Sequence, residues 1–129
     1  MVLQNGFNMK NTLRTFIAVE LAPGVRQNAQ KLIDQFRAAG ADVTWVAPQN
    51  MHLTVKFLGE VNITETSAIC KTVEQAVAGL EPFELEIRGA GAFPKIDRPG
   101  TIWLGAGEGE PQMAALAERL ELALEPLGF

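Results

Sequence analysis

The run N-M-H-L-T-V-K-F-L-G at residues 50–59 constrains this chain more than any other stretch. It is rich in β-branched and aromatic residues, and a period of two divides it into two faces. Met51, Leu53, Val55 and Phe57 fall on an apolar face, while His52, Thr54 and Lys56 fall on the other. A strand of this kind must cover its apolar side, which sets a layered fold around it. The opposite side offers an imidazole, a hydroxyl and an ammonium, the parts needed to hold a phosphate and move a proton. His52 is the only histidine in the 129 residues.

The remaining pattern supplies partners for that strand. R-T-F-I-A-V-E-L at 14–21 reads as a strand closed by Ala22, Pro23 and Gly24. Val25, Ala29, Leu32, Ile33 and Phe36 recur at helical spacing, with Pro23 in the first turn and Gly40 as the C-cap. Residues 43–46 read as a further strand, and Pro48, Gln49 and Asn50 turn the chain into the His52 strand, which ends at Gly59. Asn62 can cap a second helix, with Glu65 as its capping-box partner. Ile63, Ile69, Cys70, Val73, Val77 and Leu80 give that helix an apolar stripe, which makes Cys70 a small core residue. Phe83, Leu85 and Ile87 begin another strand, and residues 89–94 read as a bend or bulge. A polar loop at 95–100, a short strand at 101–104 and a glycine-rich turn at 105–109 follow. Pro111 then opens a third helix that stops at Gly128. The order β-α-β-β, then α-β-β-β-α, predicts an α+β fold with helices covering one face of each small sheet.

Composition narrows the function classes. With 47% apolar residues the chain can bury a core as a single domain. A net charge of −4 excludes a broad basic surface, so recognition of nucleic acid must be local, at an end or a loop. One histidine and one cysteine give no ligand set for a metal and no internal disulfide, and Cys70 suits a reducing compartment. No apolar run reaches the length of a membrane span, and the start lacks the basic and apolar segments of a signal peptide. Residues 1–13 read as a poorly ordered leader, with Met1 and Met9 as alternative starts, ahead of one domain at 14–129. A cytoplasmic protein is expected.

Several features carry two meanings. His52 taken alone suits a structural strand residue as well as a catalyst, and Thr54 is a good strand former. Lys95 and Arg98 flank a proline-rich loop, where such charges are either solvated or steer an anion. Trp45 and Trp103 fall in strand patterns as core or cleft-lining residues, able to stack on a base where exposed. The G-A-G-E-G run at 105–109 lacks the P-loop and dinucleotide spacings and reads as a turn.

Taken together, R-T-F-I-A-V-E-L, W-V-A-P-Q-N-M-H-L-T-V-K-F-L-G-E-V at 45–61, and G-A-G-A-F-P followed by T-I-W-L-G resemble the 2H phosphoesterases. The nearest branch is the RNA 2′,3′-cyclic phosphodiesterases, also called the 2′-5′ RNA ligase family. The resemblance implies a bilobal α+β fold with two small antiparallel or mixed sheets, and an activity that needs neither metal nor cofactor. It implies that His52 is the catalytic proton donor to the leaving 3′ oxygen, and that Thr54 binds a phosphate oxygen. It places Phe16, Lys56, Phe57, Arg98 and Trp103 around the substrate. Where the family has P-R-x-x-W, this chain has Pro99, Gly100, Thr101, Ile102 and Trp103, so Arg98 is a displaced candidate for the basic residue. The partners implied are RNA ends bearing a 2′,3′-cyclic phosphate, or small cyclic nucleotides.

The family also carries a second H-x-T, in a strand after the last helix. No second histidine occurs here, so a chain truncated at its C-terminus, without its closing strands, is expected. Such a chain would expose a sheet edge and self-associate through it. An inactive one-lobe remnant that binds nucleotides is the alternative from another functional class.

Overall fold

The two sheets of the computed structural model are both antiparallel, and residues 2–3, 11–40 and 42–129 are described. The chain divides into two compact units, Met1–Thr66 and Ser67–Phe129. The first contains β1 (Val2–Leu3), β2 (Thr12–Glu20), α1 (Pro23–Ala38) and β3 (His52–Asn62), with sheet order β1-β2-β3. The second contains nearly all of α2 (Thr66–Val77), then β4 (Ile87–Pro94), β5 (Pro99–Ala106) and α3 (Glu110–Leu124), with β4 and β5 paired. This is the expected α+β architecture with two small sheets.

The β2–β3 ladder fixes what each face contains. Leu13 pairs with Val61, Thr15 with Gly59 and Ile17 with Lys56, and on this face Leu13, Thr15, Ile17 and Val61 are buried. Register slips by one residue at two places, where β3 carries Val55 and then Leu58 without a partner on β2. These are β-bulges. Gly59, at the second, has φ +75°, a backbone that glycine adopts without steric cost. Each bulge forfeits a ladder hydrogen bond, worth about 1 kcal/mol. Undoing one bulge alone would turn Val61 away from the core face, at about 1.5–3 kcal/mol, whereas undoing both would leave Val61 there and exchange Lys56 and Phe57 between the faces. The two bulges therefore act as a pair, the second returning Val61 to the core face. Gly59 consequently does not end the strand as expected; β3 continues to Asn62.

Other differences from the sequence reading have local causes. Residues 42–47 form no strand, and Trp45 instead stacks on Phe36 near the end of α1, with centroids 5.9 Å apart and planes 12° apart. The Arg37 guanidinium carbon lies 6.0 Å from the same ring's centroid. Residues 83–86 precede β4 rather than forming it, although Glu86 exchanges backbone hydrogen bonds with Gly107 and Glu108. Residues 89–94 belong to β4, with one register shift between Ile87 and Ala90 and another between Phe93 and Pro94. Cys70 is exposed, because α2 buries Ile69 and Ala76 and leaves the adjoining position outside. β2 begins at Thr12, and β1 pairs Val2 with Phe16 and Leu3 with Thr15. The rest of the expected leader, residues 1 and 4–10, lies outside the described residues. Among those described, no helix is long and apolar enough to cross a membrane.

The capping of the second helix follows the sequence. Asn62 Oδ1 accepts from the Thr64 amide at 3.0 Å, and Glu65 Oε2 accepts from the Asn62 amide at 3.2 Å. The first turn, Ile63–Glu65, is 3₁₀ before α2 proper begins. Asn62→Ala is expected to lower stability by about 1 kcal/mol, while Asn62→Asp, which keeps an acceptor, retains most of it. Urea unfolding followed by circular dichroism checks both; equal midpoints for wild type and Asn62→Ala would contradict the cap.

Candidate active site

The site residues of the first unit are sorted by the ladder. A 3₁₀ turn at Pro48–Asn50 delivers the chain to β3, with the Asn50 amide bonded to Ala47 O at 2.8 Å and the Met51 amide to Pro48 O at 3.2 Å. His52 opens the strand opposite Glu20; Thr54 stands opposite Ala18, and Phe57 opposite Phe16. These six share a face, because Phe16, Ala18 and Glu20 alternate along β2. Lys56 pairs with Ile17 and so goes to the other face. The expected row of His52, Thr54 and Lys56 is thus broken at the first bulge, and Phe57 takes the place on the imidazole's side.

The imidazole has a fixed neighbour. Phe16 and His52 stack with centroids 4.7 Å apart and planes 16° apart. They reach one another across the Ala18–Thr54 pair, where a methyl side chain is too short to hold the rings apart. Phe16 is 5% exposed and therefore packed, so it forms a firm backing for the imidazole. Phe57, tilted at 54° to Phe16 with centroids 6.1 Å apart, is 68% exposed. The face thus presents a half-buried imidazole and hydroxyl beside an open phenyl ring, a polar reacting centre with an apolar margin.

Glu20 and Arg26 were not singled out by the sequence, because only the register brings Glu20 opposite His52. Arg26 Nη2 lies 3.9 Å from Glu20 Oε2, a loose pair with the carboxylate largely exposed and of little energetic weight. Arg26 Nε is buried without a hydrogen-bond partner. Among the described residues, no three His, Cys, Asp or Glu side chains converge in a metal-binding group. Arg98 and Trp103 belong to the second unit. Arg98 is exposed in the loop joining β4 to β5, and Trp103 lies on β5 opposite Gly91.

The family model of the LigT-like phosphoesterases matches residues 19–103, and the chain belongs to that family, within the 2H superfamily. A protein of Methanothermobacter thermautotrophicus named RNA 2′,3′-cyclic phosphodiesterase is 36% identical over 117 residues, 91% of this chain and 63% of its own length. One of the same name from Thermotoga maritima is 35% identical, covering 91% of this chain and 62% of its own length. A third, from Archaeoglobus fulgidus, is 30% identical over 91% of this chain and 64% of its own length. The chain therefore spans a little under two thirds of the length of these relatives.

The stack predicts a spectroscopic effect. An imidazole lying flat on a phenyl ring has its carbon-bound protons shielded by the ring current. Phe16→Leu should move the His52 ring-proton resonances downfield and cost on the order of 1 kcal/mol of stability. Unchanged His52 resonances in a folded Phe16→Leu variant would contradict the stack.

Proposed function

We propose that this chain carries one half of a two-histidine phosphodiester site, acting on the 2′,3′-cyclic phosphate at an RNA end. The observation that carries the reading is the placement of His52 and Thr54 on one ladder face, with Phe16 packed against the imidazole. The name shared by the relatives, RNA 2′,3′-cyclic phosphodiesterase, supports the substrate class. The net charge of −4 favours recognition of an end over a grip along the backbone.

In this mechanism the Thr54 hydroxyl donates to a non-bridging phosphate oxygen, where negative charge concentrates in the transition state. His52, as imidazolium, gives its proton to the 3′ oxygen as the P–O3′ bond breaks. Water forms the new bond to phosphorus, leaving a 2′-phosphate and a 3′-hydroxyl. The water's proton must go to a group other than His52 in that step, and the 129 residues hold no second histidine. A proton-transfer group is worth ~10²–10⁴ in rate, so this chain by itself turns over slowly. The single histidine also favours a second reading, a module that binds nucleotide ends without turning them over.

The test is incubation with an oligoribonucleotide ending in a 2′,3′-cyclic phosphate, in EDTA, beside His52→Ala and the Thermotoga maritima relative. The expected result is 2′-phosphate formed ~10²–10⁴ more slowly than by the relative, and lost in His52→Ala with the fold intact. Product that survives His52→Ala, or a 3′-phosphate, would overturn the assignment. Tight binding without any product would replace it by the second reading.

A further inference from the structure

The ladder that carries His52 also sets a carboxylate beside it. Glu20 and His52 are direct partners where β2 ends and β3 begins, so their Cβ atoms lie about 4.5–5.5 Å apart on one face. Thr54, opposite Ala18, is the next β3 residue of that face and stands diagonally from Glu20, about 7–8 Å away. Phe16 stacks on the imidazole from beyond the Ala18–Thr54 pair, and Glu20 lies on the other side of that pair. The carboxylate is not engaged by the imidazole. Its ion pair among the described residues is the loose one to Arg26 at 3.9 Å, and its side chain is 78% exposed. A carboxylate bonded to the ring would orient it. One that stands apart on the same face leaves room for a reactant between the two.

Opening a cyclic phosphate takes two proton transfers, one to the departing 3′ oxygen and one from the attacking water. With His52 as the donor, the second needs an acceptor within about 2.6–3.2 Å of the water. Glu20 has the chemistry and the placement for it. Two further carbons beyond Cβ let its carboxylate reach round a phosphate held by Thr54. The imidazolium directly opposite offsets the repulsion between that carboxylate and the phosphate. A carboxylate is by type a weaker base than an imidazole, so such a site works below the rate of one with two histidines.

We propose, on the His52 reading, that Glu20 is the catalytic proton acceptor for the attacking water. As the water oxygen bonds to phosphorus, one of its protons passes to a Glu20 carboxylate oxygen. The P–O3′ bond breaks, its electron pair goes to O3′, and O3′ takes the proton of His52. The products are a 2′-phosphate, a 3′-hydroxyl, a neutral imidazole and a protonated Glu20. Exchange with solvent returns both groups to their starting forms.

The experiment follows 2′-phosphate formation from a cyclic-phosphate-ended oligoribonucleotide in EDTA, at several protein concentrations. Glu20→Gln keeps the shape and loses the basic oxygen. It should lower kcat by ~10²–10⁴ with KM and melting temperature little changed. In Glu20→Ala, sodium formate at constant ionic strength should restore part of the rate in proportion to its concentration, an effect that a merely structural role would not show. An unchanged rate in Glu20→Gln, or a loss in Glu20→Ala that formate does not restore, would overturn the proposal. So would a specific activity that rises with protein concentration, since the acceptor would then come from a second copy. No product from the wild type would overturn it as well, because donor and acceptor on one face make the chain sufficient for turnover. In that case, His52 ring-proton resonances that shift on adding a 2′-phosphorylated nucleotide would leave the His52 reading standing. Product that survives His52→Ala would remove that reading, and the Glu20 assignment with it.

Discussion

The site depends on β3 changing phase twice within eleven residues. A strand that alternated without interruption could not put His52, Thr54 and Phe57 on one side while sending Val61 to the core on the other. The two bulges bring Phe57 to the side of His52 and, being two, return Val61 to the core face with Leu13 and Ile17. The functional face inherits this local irregularity in the ladder, while the core face keeps its buried residues. Bulges also bend and twist a strand, which suits two rings meeting across an intervening pair.

That meeting gives the imidazole its environment. Phe16 is buried and lies flat against His52, so the ring has a backing that does not depend on a ligand. Ala18 permits the contact by being small, and Thr54 adds its hydroxyl beside it. The second unit contributes a different kind of surface, in which glycines let an indole lie down on a hairpin. One surface is built to hold a polar reacting centre, the other to present a flat aromatic plane. Both use residues without bulk to decide where a large ring can go.

Much of this was legible in the sequence wherever the determinant was local. The Asn62–Glu65 cap needs only two residues three apart, and the start of α1 at Pro23 and the αL glycine after it follow from the same kind of reasoning. The H-x-T pair and the family likeness were also legible, because the motif is contiguous. What depended on a partner was not. Alternation put Lys56 beside His52, since nothing in residues 50–59 says where β2 skips a residue; Gly59 was the one local sign, and it reads equally well as a strand end. Residues 43–46 have strand composition but no strand to pair with, so Trp45 packs on Phe36 instead. Cys70 lies one position round the helix from buried Ile69, a difference that a stripe of apolar letters does not resolve.

The most direct test of the account is the structure of the chain with a 2′-phosphorylated nucleotide, the product form of the proposed substrate, determined by crystallography. The phosphate is predicted to lie on the Phe16–Phe57 face, within hydrogen-bond reach of the His52 imidazole and the Thr54 hydroxyl, with Lys56 on the opposite side of the sheet. A phosphate bound away from His52 and Thr54, or a β3 without its two bulges that puts Lys56 beside the imidazole, would contradict it.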